Sequence, residues 1–153
     1  FHSTPEFNNL TQKKLIKEDL KNCASISDEK IKSEILKSSI FAVAKSGTVS
    51  LEICNAKIPS IIFYKMNFIN FLIIKMLVKV KYANVINIAA EDEVIPELIQ
   101  SNCNSKNIFN KVTTFLDDNK LMINQVDNYQ KIVKDFKTNS SSQIAASVLN
   151  SSL

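Results

Sequence analysis

The apolar residues predict an α/β fold, a parallel sheet with helices flanking it. Three observations carry the prediction. Ile40 to Ala44 and Ile58 to Tyr64 are short, continuously apolar runs, as expected of strands covered on both faces. About a dozen helix-compatible residues separate them, enough for the crossover of a βαβ unit. From Ser105 onward the apolar residues recur at the helical period.

Taken in order, residues 1–12 hold Pro5 and several small polar residues and read as a loop, part of an incomplete lead-in over 1–25. Leu15, Ile16 and Leu20 among lysines suggest a short exposed helix within 13–22. Ser27-Asp28-Glu29 is a helix start with acids in the first turn, and Ile31, Ile35 and Leu36 give a stripe that predicts a helix over 28–38. Phe41 to Ala44 is the first strand, 47–57 a helix, and 58–64 a second strand with Pro59 at its edge. Val85-Ile86-Asn87-Ile88 reads as a third strand, and Pro96 predicts a short helix across Glu97 to Gln100. Ser105 is placed to cap a helix carrying Ile108, Phe109, Val112, Phe115 and Leu116. Met122, Val126, Tyr129, Val133 and Phe136 mark the next, and Ile144, Ala145, Val148 and Leu149 a last one within 139–153. These stripes are core-forming.

The one glycine of the chain, Gly47, falls where the first strand turns into a helix, in Lys45-Ser46-Gly47-Thr48-Val49-Ser50-Leu51-Glu52. A glycine there permits φ > 0 and lets a ligand approach the backbone. Ser46 and Thr48 are candidate caps, and the N–H groups of the helix start with the dipole behind them form an anion site, with phosphate as the natural ligand. An ordinary strand-to-helix turn with a Ser cap gives the same octapeptide, and on these residues alone it is the commoner origin. In a parallel sheet ligands sit at the carboxyl ends of the strands, where Ser46, Gly47 and Lys65 fall.

Residues 67–81 are strongly apolar yet shorter than the roughly 20 residues that span a bilayer. Phe71 and Ile74 represent the apolar surface, and Lys75 and Lys79 share one helical face. Two readings stand: an interfacial helix on anionic lipid, or a helix buried against a partner domain or a second copy in a homodimer.

The 153 residues, 45% hydrophobic, suffice for one globular domain, and the net charge of +4 is too small for a nucleic-acid footprint. All 19 basic residues are Lys, so any phosphate here meets point charges and no bidentate guanidinium. Cys23, Cys54 and Cys103 share no close spacing and His2 is the only histidine, so neither a metal site nor a His-based triad is expected, and a reducing cytoplasm is implied. The chain starts with Phe and shows no basic-then-apolar leader, and it reads as a piece of something longer.

Several stretches together resemble one family. Ala44 to Glu52, Ala56-Lys57-Ile58-Pro59, Tyr64-Lys65, Leu77-Val78-Lys79 with Tyr82, and Asn87 with Glu93-Val94-Ile95-Pro96-Glu97-Leu98-Ile99-Gln100 are similar, in order and spacing, to the C-terminal part of lipid-A-disaccharide synthase, from about Ile26 onward. The resemblance implies a GT-B glycosyltransferase of two Rossmann-like domains that moves the sugar of UDP-2,3-diacylglucosamine to lipid X. That chemistry belongs to the cytoplasmic face of a bacterial inner membrane, which makes the protein peripheral to it. The chain would then be a partial C-terminal nucleotide-sugar-binding domain. Carried over, Ser46, Gly47 and Thr48 hold the UDP diphosphate, Glu52 accepts from the ribose hydroxyls, and Tyr64, Lys65, Asn87, Glu93 and Glu97 line the donor cleft. No cofactor is implied, and the catalytic base comes from the absent acceptor domain, so an N-terminal half is the expected partner. Glu91-Asp92 departs from the family's Gly-Arg, setting two carboxylates where a cation would face the diphosphate.

Overall fold

The structure, a computed structural model, describes residues 1–67 and 81–138. Phe71, Ile74, Lys75 and Lys79, with most of the 67–81 stretch, lie outside the described residues, as does the helix expected within 139–153. The chain divides into two compact units, Phe1–Ser39 and Ile40–Leu153.

The first unit holds α1 (Pro5–Lys17) and α2 (Glu29–Ser38). The loop expected over 1–12 is therefore mostly helix. Pro5 stands at the helix start, where its fixed φ suits the first turn and its missing N–H costs nothing, and Glu6 follows there. Helix α1 ends at Lys17, and Asp19 at φ 53° turns the chain. The predicted α2 is present, with Asp28 Oδ1 accepting from Lys30 N (2.7 Å) and Ile31 N (3.2 Å). Only Leu15 of these helices is buried, and Ile31 and Ile35 stay exposed.

The second unit is the predicted α/β layer. Its order is β1 (Ala42–Lys45), α3 (Val49–Asn55), β2 (Ser60–Tyr64), α4 (Val85–Ala90), β3 (Glu97–Ile99), a 3-10 turn Gln100–Asn102, α5 (Ser105–Asp117) and α6 (Asn119–Thr138). The three strands are parallel in the order β1-β2-β3, with Lys45 opposite Phe63 and Ile62 opposite Glu97. Two elements differ from expectation. Val85 to Ile88 is not a strand but the start of α4, because Asn84 Oδ1 accepts from Ile86 N (2.8 Å) and sets a helix N-terminus. Glu97 to Ile99 is not a helix but β3, because Ile62 N–H donates to Pro96 O (2.9 Å) and draws the segment onto β2. Pro96 so stands at a strand edge, the other place where proline is tolerated.

Ala44 of β1 faces a cluster of Cys54, Ile62, Ile86, Ile95, Tyr129 and Val133, supplied by α3, β2, α4 and α6 with the Ile95 segment. Phe41 points to the opposite face, where its ring lies 5.6 Å from that of Phe115 on α5. The sheet is thus covered on both sides. Buried Gln125 of α6 secures one covering helix: its Oε1 accepts from Ser60 N (2.7 Å) while its Nε2 donates to Ser60 O (2.9 Å) and Val94 O (3.3 Å). An amide that satisfies both backbone groups of one residue at the start of β2 fixes the axial position of α6.

Candidate functional site

The carboxyl rim of the sheet is formed by the ends of β1 and β2. Ser46 N–H donates to Phe63 O (3.0 Å), so pairing continues one residue past β1 before the chain leaves the sheet at Gly47. Gly47 has φ 154°, and a Cβ built there meets nothing within 4 Å. The Cα of Gly47 is thus uncovered among the described residues, and the permissive conformation predicted for the glycine is present. Thr48 occupies the N-cap position of α3, but it has helical angles and makes no side-chain cap. Ser46 does not cap either, since its Oγ donates to Ala83 O (3.1 Å). Ser50 N–H and Leu51 N–H turn back to Gly47 O (3.2 Å) and Thr48 O (3.0 Å). Among the described residues no acceptor stands against the N–H groups of Gly47, Thr48 and Val49.

Around this loop, Glu52 is exposed in the first turn of α3. Lys45 Nζ lies 5.8 Å from the centroid of the Tyr64 ring, and Lys65 is exposed just past β2. Gln100 fixes where that strand leaves: its Oε1 accepts from Met66 N (2.8 Å) and its Nε2 donates to Met66 O (3.3 Å). Gln100 sits at φ 51°, so the clamp is held in a left-handed backbone conformation.

The second motif points inward. Asn87 is fully buried; its Nδ2 donates to Ile95 O (2.6 Å) and Glu97 Oε1 (2.8 Å), and its Oδ1 accepts from Ile95 N (2.8 Å). Glu97 accepts further from Ala83 N (2.7 Å, Oε2) and Asn84 N (2.8 Å, Oε1), and its own N–H donates to Glu93 Oε1 (3.2 Å). Three of the residues expected in the donor cleft are thus a polar brace between α4 and β3. The brace reaches the first loop through Ala83. Sequence reasoning missed Ala83, Asn84 and Gln100 as parts of this rim; Gln100 stands in the family-like stretch, but its clamp on Met66 depends on a tertiary contact between residues 34 positions apart.

Lys81 has its pKa raised, first by a hydrogen bond to Tyr82 and the charge of that ring, then by Asp92 and Glu93. Its Nζ is 5.0 Å from the Tyr82 centroid. Lys81 thus acts as a cation toward Asp92, one of the two carboxylates that stand where the family resemblance puts Gly-Arg. Burial pushes the Cys54 thiol up to about 12, so it is an inert core thiol and no nucleophile. Among the described residues no group of three or more His, Cys, Asp or Glu side chains could hold a metal, and no helix is long and apolar enough to cross a membrane.

A parallel sheet with a glycine-opened loop and lysines on its carboxyl rim defines the class: part of a Rossmann-like α/β domain. The family profile for lipid-A-disaccharide synthetase matches residues 2–150. The chain is 41% identical over 131 residues to the lipid-A-disaccharide synthase of Rickettsia prowazekii (strain Madrid E), covering 84% of this chain and 34% of that one. It is 42% identical over 135 residues to the synthase of Rickettsia felis, with 86% and 34% covered, and 44% identical over 126 residues to that of Rickettsia canadensis, with 80% and 32% covered. The chain belongs to the lipid-A-disaccharide synthetase family, and it spans about a third of the length of these curated relatives.

Proposed function

We propose that this chain is the nucleotide-sugar-binding part of a lipid A glycosyltransferase, with UDP-2,3-diacylglucosamine as donor and lipid X as acceptor. The observation that carries the reading is the Ser46-Gly47-Thr48 loop. It sits on the strand rim with open space at the Gly47 Cα and the N–H groups of Gly47, Thr48 and Val49 without acceptors among the described residues. In this reading those N–H groups hold the diphosphate, and Lys65 and Lys45 neutralise it as point charges. Glu52 takes the ribose hydroxyls, and Tyr64 walls the cleft. The diphosphate is the leaving group, so donors fixed in place around it stabilise the charge that develops as the sugar departs.

The base and the acceptor belong to an N-terminal half, and this chain by itself transfers no sugar, since half a cleft neither aligns two substrates nor excludes water. Phe71, Ile74, Lys75 and Lys79 would rest on the anionic cytoplasmic face of the inner membrane, or meet a second copy of the chain, which makes the protein peripheral. A second reading is a non-catalytic module that holds UDP-sugar or membrane; what speaks for it is Glu91-Asp92, two carboxylates where the family resemblance puts Gly-Arg.

Calorimetric titration with UDP tests the site. Binding should weaken about tenfold or more in Gly47→Val, which forces a branched side chain onto a left-handed backbone at the open Gly47 Cα, and should also weaken in Glu52→Ala. Absence of heat at millimolar UDP with the folded wild-type chain would overturn both readings of the loop.

A further inference from the structure

We infer that Glu97 is a positioning residue for the nucleotide loop: it fixes where the Ser46 hydroxyl stands, and with it the Ser46–Thr48 segment, without touching the ligand. The inference rests on the reading of that loop as the nucleotide site. Its basis is a single peptide bond. The N–H of the Ala83–Asn84 peptide donates to Glu97 Oε1 (2.8 Å), and the C=O of the same peptide accepts from Ser46 Oγ (3.1 Å). In a trans peptide those two groups point in opposite directions, so Glu97 and Ser46 grip the peptide from its two sides. A carboxylate on the N–H polarises the carbonyl and strengthens the bond that holds Ser46.

The rest of the brace keeps Glu97 in place. Its Oε2 accepts from Ala83 N (2.7 Å), its Oε1 also accepts from Asn87 Nδ2 (2.8 Å), and Asn87 is locked on both backbone groups of Ile95. Both carboxylate oxygens are therefore engaged by the protein. A carboxylate is the only side chain of this length with acceptors at both ends, as the three N–H donors require. In Glu97→Gln one end becomes an NH2 that meets an N–H head-on. Side chain and backbone then part on one side while the volume is kept.

The experiment uses the full chain labelled with 15N, the variants Glu97→Gln and Ser46→Ala, and the double variant, each followed by amide spectra and by titration with UDP. We expect Glu97→Gln to move the Gly47 and Thr48 amide signals in the same direction as Ser46→Ala, with no further movement in the double variant. UDP affinity should fall about three- to tenfold in each single variant and no further in the double. A purely structural role would leave the Gly47 and Thr48 signals of a folded Glu97→Gln chain unmoved, or give additive losses, and either result overturns the inference. Should Glu97→Gln fail to fold, Ser46→Ala decides: the Asn84 amide proton bonded to Glu97 must shift, and an unmoved signal overturns the relay. If the wild-type chain binds no UDP, the nucleotide reading falls, while the amide shifts still report whether Glu97 holds the loop.

Discussion

Glu91 ends α4 with φ 54°, a left-handed conformation in which its Cβ crowds the following carbonyl. The family resemblance puts a glycine at this place, where the same backbone carries no such crowding. We expect Glu91→Gly to stabilise the chain by about 0.5–1 kcal/mol, measured by urea unfolding, the released strain exceeding the extra flexibility of the unfolded chain. An unchanged or lowered stability would show that the left-handed cap is not strained. Gly47 is the converse case. Its conformational role was legible in the sequence because one glycine in 153 residues, set between a strand pattern and a helix pattern, has few other reasons to be there. The partners of Ser46 were not legible, since a hydroxyl beside a helix start also suits a cap, and only the fold brings Ala83 to it across 37 positions.

Among the elements, β1, α3 and β2 follow the expected strand-helix-strand pattern, because a continuous apolar run beside a turn residue has one common meaning in a parallel sheet. The same rule failed at 85–88, where four residues are too few to separate helix from strand by period, and the Asn84 cap decides. It failed again at Pro96, which suits a helix start and a strand edge equally until β2 offers its Ile62 N–H. The core these elements enclose has a pH signature. Cys54 is held near 12 against an ordinary 9.0, and Tyr129 is raised by burial and then by the neighbouring Cys54. Both are acids kept neutral in the fold beyond the pH at which the unfolded chain ionises. Above about pH 9 the unfolded chain binds fewer protons than the folded one, so stability falls as pH rises toward 12. In Cys54→Ala the stability at pH 7 should drop by about 1 kcal/mol from lost packing, while its decline between pH 9 and 11.5 becomes shallower. Equal slopes for the two proteins in urea titrations under reducing conditions would contradict this account.

At the scale of the whole chain, the family match runs over residues 2–150. The chain spans about a third of the length of its curated relatives, and among the described residues the sheet has three strands with β1 at an edge and Val43 of that strand 44% exposed. An edge strand with an exposed apolar residue is a surface on which further structure adds. Hydrophobic content counts core residues without saying whether they share one core. Ile31 and Ile35 form the stripe expected of a buried helix, yet both are exposed. The proposed function predicts complementation. Mixed with a separately produced N-terminal half of a relative, the chain should form a complex that releases UDP from donor and acceptor, whereas neither part by itself should do so. Turnover needs both walls of the cleft, so the gain should follow complex formation and saturate with it. In the Gly47→Val chain the complex should still form while UDP release falls about tenfold or more, because the substitution acts on the donor and not on the joining surface. A complex that assembles with the wild-type chain and releases no UDP would leave the chain a binding module, and UDP release by the chain without its partner would place the base on these 153 residues.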